Sequence, residues 1–305
     1  MTHLEALSAL SASQRAALTQ TNTRAGLVHL GGHLGAIAVT GTYIALQGPL
    51  WGLALLPHGI LIVFLFTLSH ECTHVTPFAR KELNDWVGHA VAPLILLPFT
   101  WFRYFHLAHH RHTNDPDNDP ELAGGGRPTT WAAYLRYLTG WGYWSGNART
   151  LWRNAFGTIE APYLPPRKHA AMRREARILL AVYALAALSL LWSPLVLWLW
   201  LVPVLLAQPV LRLYLLAEHG HCPPVADMLE NTRTTRTVRL VRWLAWNMPY
   251  HAEHHSFPAV PFHQLPALHK HLKPHLKSVS NGYGAFTSDY VQGLERSASR
   301  PPPQP

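Results

Sequence analysis

Charged side chains are scarce in this chain: Asp, Glu, Lys and Arg together make up 13% of its 305 residues, against about a quarter in an average soluble protein. The shortage is local. Residues 26–69 and 178–211, runs of 44 and 34 residues, contain none of the four, and each exceeds the roughly 20 residues that cross a bilayer once. They exclude a freely soluble globular protein and a disordered one. Cysteine is nearly absent: with only Cys72 and Cys222 there is no disulfide framework and no ligand set for an iron–sulfur cluster. The first 25 residues hold two arginines and no apolar stretch, so a cleaved leader is not expected.

What charge there is has an address. The formal net charge is +9, all 25 Lys and Arg lie outside the two uncharged runs, and eleven of them fall between Arg103 and Arg177. No nucleic-acid-binding motif accompanies them, so nucleic acid is not an expected partner, and the bias reads as cytoplasmic loops beside anionic lipid. Turn signals at Gln47-Gly48-Pro49 and Ser193-Pro194 divide the runs. The expected fold is therefore an all-α integral membrane protein. Four transmembrane helices, at about 26–46, 50–70, 178–192 and 195–217, pair as two hairpins. A histidine-rich cap and both termini face the cytoplasm, the setting of a bacterial inner membrane. The third span is short and needs a thinned or tilted boundary. Pro203 and Pro209 should kink the last. Between the hairpins, aromatic residues from Trp131 to Trp152 alternate with Arg136, Arg149 and Arg153, as in helices lying in the headgroup layer. Residues 86–102 are apolar but short, which suits a re-entrant or interfacial helix. Residues 1–24 read as an amphipathic segment, 25–280 as the membrane domain, and 281–305 as a C-terminal tail, disordered from 297 onward.

Histidine is abundant, with 21 copies. Three clusters stand out: His70-Glu71-Cys72-Thr73-His74, His106-Leu107-Ala108-His109-His110 and His251-Ala252-Glu253-His254-His255. Residues at i, i+3 and i+4 share one face of a helix, so each cluster can aim two or three imidazoles at one point, where a span meets the basic side. Imidazole suits iron, zinc, copper and nickel. Eight such ligands exceed one tetrahedral ion and suit two metals sharing a site. His3, His29, His33, His58, His89 and His169 read as interfacial polar residues, and His263, His269, His271 and His275 as a solvated surface. The first cluster also matches HExxH, the zinc protease signature, but a protease would leave two HxxHH clusters idle. A metal transporter would place its ionisable groups nearer mid-membrane.

HxxxH, HxxHH and HxxHH, in that order and interleaved with two hydrophobic hairpins, resemble the membrane fatty acid desaturase family. His109-His110-Arg111-His112-Thr113-Asn114, followed by Asp119-Pro120-Glu121, is similar to the stretch after that family's second box. The run from Asn247 to Pro258, then Pro261 and Leu265-Pro266, is similar to the third-box region of dihydroceramide and sphingolipid-type desaturases. Related hydroxylases and carotenoid ketolases share the plan, and Glu71 stands where many members have Asp. The resemblance covers roughly residues 25–280. It implies two irons, O₂ as co-substrate and a double bond introduced into a long-chain acyl lipid, with hydroxylation or ketolation as the alternative outcome. It implies the ligands His70, His74, His106, His109, His110, His251, His254 and His255. Glu218-His219 is similar to an additional Glu-His element of such enzymes and makes His219 a ninth; His112 is a weaker candidate. Glu71 and Glu253 lie off the ligand spacing and could hold the second N–H of a ligating imidazole. No electron carrier is fused, so a separate ferredoxin, flavoprotein or cytochrome b5-like donor is implied, and a basic face suits an acidic partner.

Overall fold

In the computed structural model, which describes residues 1–123 and 125–298, the chain is mostly helical. Two short helices open it, α1 (His3–Ser8) and α2 (Ala12–Leu18). The Thr2 and Ser11 hydroxyls accept from the amides of Glu5 and Gln14, whose side chains accept in return from the cap N–H groups, a reciprocal start that satisfies two orphan donors. The 23-residue α3 (Thr23–Ala45) follows. After a tight turn come α4 (Leu55–Val63) and α5 (Leu65–His74), then α6 (Lys81–Ile95) and α7 (Phe99–His112).

By length and composition, three segments can cross a membrane: Ala12–Ala45, Trp51–His74 and Leu197–His219. α6 and α7 meet the same test only as a pair and are bent by 100°, which makes them a broken span or a re-entrant loop. The bend is built by Leu96, held at φ 52°, where the left-handed backbone ends α6. Exposed Val28, Leu34 and Val39 on α3 present the apolar surface that lipid requires.

α8 (Trp131–Leu138) and α9 (Trp141–Phe156) lead into α10 (His169–Ser189), and a π-turn at Leu197–Leu201 opens α11 (Val202–His219). The expected short span at 178–192 largely coincides with the second half of α10 and is not among the three crossing segments. Arg173, Arg174, Glu175 and Arg177 fill the first half of α10, and the apolar remainder covers only about 18 Å at 1.5 Å per residue, short of a bilayer core of roughly 30 Å. Glu175 has a different task. Its carboxylate accepts from the amides of Phe99 at 2.6 Å and Thr100 at 2.9 Å, so α10 caps the N-terminus of α7 and favours its dipole.

The chain ends with α12 (Met228–Asn231), α13 (Arg239–Leu244), α14 (His251–Ser256), α15 (Leu265–Leu272) and α16 (Tyr283–Ala298). The strands among the described residues are β1 (Thr234–Thr235) and β2 (Val279–Ser280), which pair in parallel. Residues 283–298 are thus not a tail. Phe286, Tyr290 and Leu294, one turn apart, are buried against Leu216 and Ala217 of α11. The expected disorder beyond 298 lies outside the described residues.

Two histidines read as interfacial are buried between spans instead. His33 Nε2 bonds the Leu61 carbonyl, and His58 bonds Thr40 and the Leu199 carbonyl. Each stitches a helix pair where no water is available. α11 packs most extensively on α4 through Gly59. A Cβ there would lie 1.9 Å from the Pro203 carbonyl oxygen, so only glycine permits this approach. Gly59→Leu should cost about 3 kcal/mol or more and greatly reduce monodisperse protein in detergent by size-exclusion chromatography, while Gly52→Leu, where a Cβ meets nothing, should leave the yield unchanged.

Candidate metal centre

α5 carries His70 and His74 on one face, and Val75, at φ 61°, stops the helix directly after them. α7 carries His106, His109 and His110, α14 carries His251, His254 and His255, and His219 closes α11. The fold brings these four helix ends together. His70, His74, His106, His110 and His254 form one group and His109, His219 and His255 another, with the potential ligand atoms of each group within 4.8 Å of one another. His251 lies beside the second group, its ring 4.6 Å from that of His255 and 5.0 Å from that of His219. His112 stays outside both groups, and His221 stacks on Tyr290 instead, as its two-residue offset from His219 requires.

Hydrogen bonding decides which nitrogen each ring of the second group points inward. His109 Nδ1 lies 2.9 Å and 3.0 Å from the two oxygens of buried Asp119, so it carries the proton. His219 Nδ1 faces the Asn231 carbonyl at 3.3 Å, and a carbonyl only accepts. The Thr113 hydroxyl donates to the His109 carbonyl and so accepts from His255 Nδ1 at 3.1 Å. In the neutral, metal-binding form of each ring Nε2 is then the free donor atom. The Nε2 atoms of His109 and His219 face each other at 3.2 Å, and His255 Nε2 is buried with no partner. A cation between them would be held by all three.

The first group follows the same plan. Nε2 atoms of His74 and His106, and of His106 and His110, are 2.9 Å apart, and those of His110 and His254 are 3.2 Å apart. Two nitrogens bound to one ion at about 2.0–2.1 Å stand about 3 Å from each other. Both nitrogens of His70 are buried without a hydrogen-bond partner. Burial first, and neighbouring imidazoles second, hold His251, His254 and His255 well below the ordinary histidine range, which keeps them neutral and able to ligate. The donor set fits a pair of transition-metal ions held mostly by imidazole.

The outer partners only partly match the sequence expectation. Glu71 Oε1 stands 3.7 Å from His254 Nδ1, while Oε2 accepts from Thr76 and the Phe262 amide. Glu253 does not reach a box histidine. Its carboxylate takes His269 Nδ1 and the Thr234 hydroxyl, which ties α14 to α15 and β1, and His269 is a partnered side chain, not a solvated one. Glu218 takes up the role near a ring: Oε1 is 3.5 Å from His251 Nδ1. Sequence reasoning missed Asp119, Asn231 and Thr113 as partners. The one signal for Asp119 was its place in the Asp119-Pro120-Glu121 stretch after the second box.

A cavity of about 360 Å³ adjoins the centre, bordered by His70, His106, His109, His219 and His251 and walled by Phe66, Leu97, Phe102 and Phe105. Such a cavity admits an apolar chain to the edge of the histidine groups.

A membrane protein of apolar helices with two buried histidine groups beside an apolar cavity is one class of molecule, the histidine-box membrane proteins. Comparison with known sequences narrows the class. The fatty acid desaturase family profile matches residues 45–287. The chain belongs to the fatty acid desaturase family. It is 30% identical over 114 residues to an sn-1 oleoyl-lipid 12-desaturase of Anabaena variabilis, covering 32% of this chain and 33% of that one. It is 38% identical over 64 residues to an sn-1 acyl-lipid omega-3 desaturase (ferredoxin) of Nostoc sp. (strain 36), covering 21% and 18%. These matches span a third or less of the relatives' own length.

Asp119→Ala should lower the affinity of the second group for ferrous iron by about 10- to 100-fold, as loss of a ring-orienting partner does. Anaerobic titration of the purified protein should show this loss, and Asp119→Asn, which keeps an acceptor for the ring N–H, should restore part of it; unchanged affinity in Asp119→Ala would contradict this assignment.

Proposed function

We propose that this chain is an O₂-dependent acyl-lipid desaturase. In this reading His70, His74, His106, His110 and His254 hold one iron, and His109, His219, His255 and His251 hold the other. The observation that carries it is the convergence of Nε2 lone pairs in two groups at the edge of an apolar cavity. Bound iron, reduced by an outside donor, supplies with O₂ the power to take hydrogen from an unactivated CH₂. The protein's own part is positional. Asp119, Asn231 and Thr113 keep the Nδ1 protons outward and the inner nitrogens free. Phe66, Phe102 and Phe105 exclude water from the chain. Two hydrogens leave the substrate and, with two electrons and two protons from outside, reduce O₂ to two waters.

Names of the relatives support an acyl-lipid substrate and, in the Nostoc relative, a ferredoxin donor. An acidic carrier of that kind suits the basic balance of the chain. The membrane domain is assigned to residues 25–280, in a bacterial inner membrane, with the histidines and both termini on the cytoplasmic side. A zinc protease is disfavoured because Glu71, its only possible base within HExxH, is fully buried and bound to Thr76 and Phe262, away from the cavity.

Expression with a competent ferredoxin and its reductase, followed by lipid mass spectrometry, tests the proposal. An acyl chain lighter by two hydrogens, absent in His254→Ala and without O₂, is expected. A product heavier by one oxygen would refute desaturation in favour of hydroxylation. Reporter fusions at the Gln47–Pro49 turn and the C-terminus should be active outside and inside respectively, and the reverse would overturn the orientation.

A further inference from the structure

Arg212 lies within the last candidate span and is 9% exposed. Its guanidinium borders the same cavity, stacked 4.7 Å from the Tyr143 ring and 5.8 Å from that of Tyr137. Its Nε and Nη2 are buried without a hydrogen-bond acceptor, and it forms no ion pair within 4 Å among the described residues; Glu218 of the same cavity acts on it electrostatically without bonding to it. The tyrosine hydroxyls are turned to backbone instead: that of Tyr137 donates to the Arg212 carbonyl and that of Tyr143 to the Ile95 carbonyl. An arginine in a membrane span left without a partner is costly, and it needs an acceptor.

The surroundings repeat the demand. Asn147 Nδ2 and Trp101 Nε1 line the same cavity and are likewise buried donors with no acceptor. The cavity's acids, Glu121 and Glu218, border it with His109 and His219, and Arg212 sits seven residues before His219, about 10 Å along the helix. The cavity therefore offers unsatisfied donors as well as the histidine groups, with aromatic and aliphatic residues on its walls.

We propose that Arg212, with Asn147 and Trp101, is a binding site for the carbonyl or carboxylate oxygens of an acyl chain, and that it sets how far along the chain the histidine groups act. This rests on the reading of the chain as an acyl-lipid desaturase. Arg212 is a substrate-positioning residue: it anchors the polar end of the chain, and the carbon presented to the histidines is counted from that end.

Binding can be measured without iron, O₂ or electron donor. Full-length protein in detergent is titrated with tritiated stearate, methyl stearate and octadecane by scintillation proximity. Wild type should bind at least one of the two oxygen-bearing chains about tenfold or more tighter than octadecane, the scale of a hydrogen bond to a charged group. Preference for stearate identifies a free acid, and preference for the ester identifies an esterified lipid. Arg212→Met should remove that advantage and leave octadecane binding unchanged, while Arg212→Lys should keep part of it. Octadecane binding as tightly as both oxygen-bearing chains in wild type would overturn the proposal, and so would an equal loss for all three in Arg212→Met. If Arg212→Met does not fold, the wild-type comparison and Asn147→Ala decide. Selective binding by a protein that yields no unsaturated lipid would leave this site standing and remove only the desaturase reading.

Discussion

Imidazole nitrogens crowded into a buried space are the constraint on which the rest of this structure depends. Nε2 atoms of His109 and His219 face each other at 3.2 Å, and three such pairs in the first group stand 2.9 to 3.2 Å apart. His70, His106, His109 and His254 are almost wholly shielded from bulk solvent. Burying a polar atom without a partner is costly, and both nitrogens of His70 are in that state. Binding energy from a metal would thus be folding energy for the cap that surrounds it.

The fold meets that cost by tying each histidine helix to a different part of the chain. α7 is capped at its start by Glu175 from α10, and its last turns are oriented by Asp119 from the following loop. α14 is held from below by Glu71 of α5 and from behind by Glu253 reaching His269 and Thr234. Asn231 bonds outward to Thr113 and Val225 through its amide while its carbonyl takes His219. Single residues therefore join elements more than a hundred positions apart, and rigid placement follows from bonds to backbone groups that cannot move independently.

How much of this was legible follows from what kind of signal each residue left. Uncharged runs located three long spans, since lipid filters composition directly, and i, i+4 spacing paired His70 with His74 and His106 with His110, while the histidines at i+3 and i+4 of the second and third clusters went to different groups. His219 was found through the Glu218-His219 element. The failures concern long-range partners. Glu175 sits three residues before an uncharged run and carries no motif; its partners, the amides of Phe99 and Thr100, are revealed by no local pattern. Glu253 reads as a partner for a ligating imidazole and His269 as a solvated side chain, yet each is satisfied by the other. α16 was readable in principle: Phe286, Tyr290 and Leu294 recur at one-turn spacing, but the proline-rich end that follows drew the whole segment into a tail.

Neighbouring residues are dealt to different groups. His109 belongs to one and His110 to the other; His254 and His255 divide the same way. A small rotation of α7 or α14 about its axis consequently moves ligands in both groups at once. Occupation of one group fixes the roll of both helices and has already ordered part of the second, so the second ion binds to a site with less left to organise. The result is positive cooperativity, and by reciprocity each ion strengthens the other equally. At limiting metal the population would then divide between empty and fully loaded molecules, with few in between.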